Sequence, residues 1–206
     1  MKKEDRLLRI GVLGCGPISQ IAHFDACQKS RNARLYAICD VAHDLRTKMA
    51  AFYEPEVAYS DYDQMLADPK VEAVIIGVAD QYHVPLCMKA VEAGKHVLVE
   101  KPLGVNVEEC EELRQRLRTS DQVLQIGNNR RFDPGIAFAK KFIDEEMGSH
   151  MGFKAWYYDS TYRYTMTDNL QPIPHPSSEA RRPEGNPKAD KRQYYLLTHA
   201  SPLVDT

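Results

Sequence analysis

Along the first half of the chain, apolar residues gather in short unbroken runs, and between these runs they recur at helical spacing. The runs are Leu8-Arg9-Ile10-Gly11-Val12-Leu13, Arg34-Leu35-Tyr36-Ala37-Ile38-Cys39, Ala73-Val74-Ile75-Ile76-Gly77-Val78 and His96-Val97-Leu98-Val99. Continuous apolar segments this short mark strands buried on both faces, as in a parallel sheet. Helix-like stretches run from about Ile18 to Lys29 and from Val84 to Ala93, the second closed by Gly94 as a predicted C-cap. Strands alternating with such helices predict βαβ units. The expected fold class is α/β: a doubly wound parallel sheet over residues 1–127, followed over 128–206 by the beginning of an incomplete α+β domain. That second part opens with a helix-like stretch, Ile136 to Glu145, and a strand-like one, Gly152 to Tyr158. Six of the twelve prolines then fall between Pro172 and Pro202, which predicts an irregular exposed loop at about 168–192.

Two of the strands run into residues that carry chemistry. The first turns through Gly14-Cys15-Gly16-Pro17-Ile18-Ser19 into a helix. Glycines there let the backbone approach a pyrophosphate, and the helix N-terminus offers amides and partial positive charge to meet it. Ser19 stands where the third glycine of G-x-G-x-x-G belongs, so the turn alone is a weak signal. The second strand ends in Asp40, at the distance where an acid binds a ribose 2′-hydroxyl. Asp40 also reads as a helix N-cap before Val41-Ala42-His43. The run 96–99 leads into Glu100-Lys101-Pro102. A parallel strand ends at the ligand crevice, so Lys101 is delivered to a site where an ammonium can hydrogen-bond a substrate oxygen and take part in proton transfer. The bland alternative is a surface lysine beginning a loop.

The set Gly14-Cys15-Gly16-Pro17-Ile18, His23, Asp40, His83, Ala93-Gly94-Lys95-His96-Val97-Leu98-Val99-Glu100-Lys101-Pro102 and Asn129-Arg130-Arg131-Phe132 resembles the glucose–fructose oxidoreductase/inositol dehydrogenase (Gfo/Idh/MocA) family. The A-G-K-H-V-x-x-E-K-P string is far more specific than the glycine turn. The resemblance runs from about Arg9 to Tyr158 and then thins. It implies an N-terminal Rossmann domain that binds NAD or NADP, with the lysine of E-K-P beside the nicotinamide. It further implies a second domain that carries a sugar, inositol or related polyol. The cofactor-binding residues it suggests are Gly14, Cys15, Gly16, Pro17, Ile18, Asp40, Asp80, His83, Glu100, Lys101, Pro102 and Asn129. Asp40 favours NAD, and Arg46, within reach of a phosphate, leaves NADP open. The resemblance also suggests a cis Lys101–Pro102 peptide. In the family's second signature an Asp is followed four residues later by a His, the expected proton relay. This chain has Thr198 and Pro202 at those positions, which leaves Lys101 as the catalytic candidate and nearby His199 as a second.

Composition serves to exclude. With 43% hydrophobic and 27% charged residues the chain reads as a globular domain. No apolar run approaches the roughly 20 residues that cross a bilayer, and Met1-Lys2-Lys3-Glu4-Asp5-Arg6 lacks the apolar core of a signal peptide. The basic residues Arg181, Arg182, Lys188, Lys191 and Arg192 lie in a chain of net charge −2, so they read as a solvated loop and not as a nucleic-acid surface. Cysteines 15, 27, 39, 87 and 110 form no C-x-x-C, which predicts reduced thiols, a cytoplasmic setting and no metal. The aromatic cluster Phe153, Trp156, Tyr157, Tyr158, Tyr162 and Tyr164 asks for a partner surface, so either self-association into a homo-oligomer through this region or disorder beyond about Asp159 is expected. Two functions stay open: an NAD(P)-dependent oxidoreductase acting on a carbohydrate or polyol, and a nucleotide-binding module, a truncated pseudoenzyme or fragment, with little or no turnover.

Overall fold

The computed structural model describes residues 6–149, 151, 152, 154, 156 and 175–180. The strands are β1 (Leu8–Leu13), β2 (Ala33–Cys39), β3 (Val57–Tyr59), β4 (Ala73–Ile76), β5 (His96–Val99) and β6 (Leu124–Ile126). They form one sheet in the order β3-β2-β1-β4-β5-β6, with every neighbouring pair parallel. The order reverses between β1 and β4, the topological switch point of a doubly wound Rossmann sheet. The helices are α1 (Phe24–Lys29), α2 (His43–Tyr53), α3 (Tyr62–Ala67), α4 (His83–Glu92), α5 (Val107–Arg118) and α6 (Pro134–Glu145). A single wide turn of π-helix over Ser19–His23 leads into α1.

Strand residues alternate between two apolar layers, as the two-residue period of a pleated strand requires. Leu13, Val74, Ile76, Val97 and Val99 pack with Met65 and Leu66 of α3, Val84, Cys87, Ala90 and Val91 of α4, and Leu113 of α5. Val12, Ile38 and Ile75 point the other way, onto Phe24 and Cys27 of α1 and Leu45 and Met49 of α2. Burying each such large side chain contributes roughly 1.5–3 kcal/mol, so the two layers hold the sheet edge rigid beneath any site built on it. α6 lies outside both layers and buries none of its residues.

Local chemistry sets the element ends. Gly94, at φ +73°, closes α4: its N–H donates to the Val91 carbonyl and the Lys95 N–H to the Ala90 carbonyl, the Schellman pattern expected of Gly94. Asp61, Asn106 and Asp133 cap α3, α5 and α6 with their own side chains. α2 has no such cap, because its N-cap is Ala42. The strand expected over 152–158 and the loop expected at 168–192 fall largely outside the described residues.

Candidate functional site

The strand register places the chemistry. Leu13 pairs with Cys39 of β2 and with Ile76 of β4, Ile76 pairs with Val99 of β5, and Val99 pairs with Ile126 of β6. The residues that follow these five, Gly14, Asp40, Gly77, Glu100 and Gly127, therefore stand side by side along the carboxyl edge of the sheet. Ligands of open α/β sheets bind at this edge.

Gly14 has φ +93°, and a Cβ there would stand 2.5 Å from the Gly77 carbonyl oxygen, so no other residue fits without displacing β4. Gly16 faces nothing within 4 Å. With Pro17 and Ile18 it forms the outer lip of the turn, above the buried Cys15 and Ser19. An open backbone lip at a helix start has the shape and polarity that a pyrophosphate needs. Ser19, in place of the third glycine, lies fully buried against Gly77: a Cβ on Gly77 would come within 2.9 Å of its hydroxyl. The motif's missing glycine is thus matched by a glycine on the neighbouring strand end. Burial above all, and then the Asp40 charge, push the Cys15 thiol far up, so its side chain is inert packing.

Asp40 accepts from the Cys15 N–H through Oδ2 at 2.6 Å and from the Ala42 N–H through Oδ1 at 2.8 Å. It ties the glycine turn to the β2–α2 turn and is not itself the N-cap of α2. An ionised carboxylate offers about four lone-pair sites, so acceptor capacity for ribose hydroxyls remains. Arg46 Nη1 donates to the Asp40 carbonyl oxygen at 2.6 Å.

At the β5 end the Lys101–Pro102 peptide is cis. Glu100 accepts from the Lys101 backbone N–H at 3.2 Å, and its Oε1 lies 3.2 Å from His23 Nε2. His23 Nε2 is buried and has no other partner among the described residues, and the contact is an ion pair when the ring is protonated. Burial alone would raise the Glu100 carboxyl; His23 and the Lys101 N–H and charge outweigh it and leave the carboxyl below its ordinary value.

His83, expected at the cofactor, is fully buried, with Nδ1 2.6 Å from the Pro102 carbonyl oxygen and Nε2 3.1 Å from that of Val78. Its ring joins the ends of β4 and β5 and braces the turn that carries Lys101. Asp80 lies in a single 3₁₀ turn, Asp80–Tyr82, beyond β4, and Asn129 opens another, Asn129–Phe132, beyond β6. Lys95, of the signature string, is buried and donates to the Asp68 and Val71 carbonyls at 2.8 Å each; its role is structural. His199, Thr198 and Pro202 lie outside the described residues.

A distant segment reaches the same edge. The Gln20 side chain donates to the Cys15 carbonyl at 2.8 Å and accepts from the His175 N–H at 2.6 Å. Glu179 Oε2 accepts from the His43 and Asp44 N–H groups at 2.8 and 3.3 Å, supplying the cap that Ala42 lacks. Ser177 Oγ donates to Asp44 Oδ1 at 2.6 Å and the Ser178 N–H to Asp44 Oδ2 at 3.2 Å. The Ser177 hydroxyl is the first reason that the Asp44 carboxyl sits below its ordinary value. Nothing in the local sequence pattern signals these contacts, because the partners are 133 to 155 positions apart.

Among the described residues no cluster of His, Cys, Asp and Glu could hold a metal ion, and no helix is long and apolar enough to cross a membrane. The family model GFO_IDH_MocA, described as "Oxidoreductase family, NAD-binding Rossmann fold", matches residues 8–128. The chain is 34% identical over 137 residues to a myo-inositol 2-dehydrogenase of Thermotoga maritima, covering 66% of this chain and 41% of that protein. It is 31% identical over 150 residues to a scyllo-inositol 2-dehydrogenase (NAD(+)) of Bacillus subtilis, covering 72% and 44%. The crystal structure of scyllo-inositol dehydrogenase from Lactobacillus casei with bound NAD(H) and scyllo-inositol superposes with a TM-score of 0.65 at 29% identity, covering 68% of this chain and 42% of that one. The chain thus spans about two fifths of the length of these relatives.

Proposed function

This chain belongs to the Gfo/Idh/MocA oxidoreductase family, with its NAD-binding Rossmann fold, and from that premise we propose that it serves hydride transfer between a nicotinamide dinucleotide and a carbon–oxygen centre of a sugar, inositol or related polyol. The observation that carries this reading is the single row formed by Gly14, Asp40, Gly77 and Glu100 at the sheet edge, with Lys101 next in line. The lip Gly14–Ile18 and the helix start behind it would hold the pyrophosphate. The Asp40 carboxylate would accept from the adenosine ribose. When bound, the nicotinamide supplies the hydride acceptor or donor. Lys101 would orient and polarise the substrate oxygen with its ammonium, while His83 and Glu100 hold the turn that aims it.

The same reading assigns residues 1–127 to the dinucleotide domain and 128–206 to the start of a substrate domain, and α6, none of whose residues is fully buried, supports a boundary near 127. It takes the chain as cytoplasmic, where the free thiols of all five cysteines persist. It takes it as self-associating, with exposed Phe138 and Phe142 of α6 as one contributing face. A second reading, nucleotide binding with faint turnover, draws on Thr198 and Pro202, which stand in the positions of the family's Asp/His relay.

Fluorescence titration with NADH tests the first step. Saturable binding, abolished by a glutamate at Gly16 and retained in Lys101→Ala, is the expected result. Absence of binding to the folded wild-type chain overturns the proposal.

A further inference from the structure

The segment 175–180 belongs to none of the sheet's layers, yet two cofactor-side elements pin it. Gln20 grips both the N–H and the carbonyl of His175 (2.6 and 3.3 Å) with the same amide that holds the Cys15 carbonyl of the glycine turn. At the other end Asp44 and Glu179 exchange bonds in both directions: Asp44 accepts from Ser177 and Ser178, and Glu179 accepts from His43 and Asp44. The Glu179 N–H closes the loop on Ser177 Oγ at 3.0 Å. This is a reciprocal clasp and not a single surface contact.

Its position bears on the cofactor. In a Rossmann site the acid at the end of β2 faces the adenosine 2′-hydroxyl, and a 2′-phosphate at that point needs a cation and free amides close by. Here three successive amides at the start of α2 are already committed: Ala42 N–H to Asp40, and His43 and Asp44 N–H to Glu179. Three carboxylates, of Asp40, Asp44 and Glu179, crowd the start of α2. Among the described residues, Arg46 is bonded to the Asp40 carbonyl, and Lys48 acts on Asp44 through its charge.

Resting on the dinucleotide reading above, we propose that Glu179 is a cofactor-specificity residue: its carboxylate on the first amides of α2 takes the anion position that the 2′-phosphate of NADP(H) requires, and so selects NAD(H). The discrimination comes from a residue 135 positions beyond Asp44 of α2, in addition to Asp40 itself.

The test is fluorescence titration of the full chain with NADH and NADPH, in wild type, Glu179→Gln and Glu179→Lys, with circular dichroism and melting as checks on folding. Glutamine keeps an acceptor for the two amides and removes the charge. Wild type is expected to bind NADH at least about tenfold more tightly than NADPH. Glu179→Gln should narrow that ratio about fivefold to tenfold, the size expected for removing one like charge a few ångströms away under screening, and Glu179→Lys should narrow it further. NADH affinity should stay within about twofold. A ratio unchanged in both folded variants, or NADPH preferred by wild type, overturns the proposal. A wild-type chain that binds neither nucleotide overturns the dinucleotide reading itself, and this inference with it. Amide hydrogen exchange on the wild type needs no substitution: His43 and Asp44 N–H groups must be protected both free and with NADH, and rapid exchange there in the folded chain refutes the clasp.

Discussion

Gly14 illustrates how one missing Cβ fixes a whole edge. Its φ of +93° and the 2.5 Å approach of the Gly77 carbonyl to any added Cβ set two penalties on Gly14→Ala, backbone strain and a clash with rigid main chain. Together these should cost roughly 2–4 kcal/mol, seen as a lower urea midpoint, and should weaken NADH binding in whatever fraction stays folded. A midpoint within 0.5 kcal/mol of wild type, by the usual scale of harmless substitutions, would refute the geometry. Glu100 carries a pH signature. Its carboxyl is lower in the folded chain than its ordinary value of 4.5, so the stabilisation is fully present above that value and is lost as the pH falls through the lower folded one. Replacement by glutamine should flatten the acid limb of a stability-against-pH curve in that window and leave its shape near neutrality unchanged. An acid limb identical in Glu100→Gln and wild type would remove the His23–Glu100 pair from the account. Ser19 and Lys95 show the limit of reading residues singly: the serine is accommodated by Gly77 across the strand gap, and the lysine of a signature string serves two buried carbonyls.

Elements were readable in the sequence where apolar runs left no choice of face. β4 is buried on both sides and β1 and β5 are buried or half-buried over most of their length, and their runs end within two residues of the structural strands; the Gly94 cap and the helix before it were equally plain. β3 and α3 went unread because three and six residues are too short for any period to show, and their place is set by pairing with β2 and packing on the sheet. α5 was missed for another reason: eight of its twelve residues are charged or glutamine, and only Leu113 is fully buried, with Cys110 and Leu117 half-buried beside it, so its apolar stripe is narrow in a polar surface. The site divides the same way. Gly14, Asp40 and Lys101 follow strands and could be placed by counting, whereas the roles of His83, Gln20 and Glu179 depend on contacts made across the fold. α2 shows this at its clearest, since its N-cap is Ala42 and not Asp40, and its first amides find a side-chain acceptor only when the segment 175–180 is laid against it.

At the scale of the whole molecule, turnover needs more than the sheet edge, the glycine lip and Lys101. A dehydrogenase also needs a proton acceptor within hydrogen-bond reach of the reacting hydroxyl, in a site closed to water. The family signature that the sequence resembles implies an Asp/His pair for this need, and the expectation from that resemblance sets Thr198 and Pro202 at its two positions. Threonine is a poor general base and proline has no proton to exchange, so any relay must run through Lys101 or through His199 beside the altered pair. General acid–base assistance is worth about 10²–10⁴-fold, so the expectation is clear NADH binding with NADH production slower by that order than a relative with an intact pair. An assay over inositols, hexoses and sugar acids checks it, with Pro202→His as the informative variant. If wild-type turnover is robust and Lys101→Ala abolishes it, the lysine carries the proton alone and the altered pair is no handicap. If turnover is faint and Pro202→His raises it at least tenfold while NADH affinity stays constant, the missing relay is what limits the chemistry.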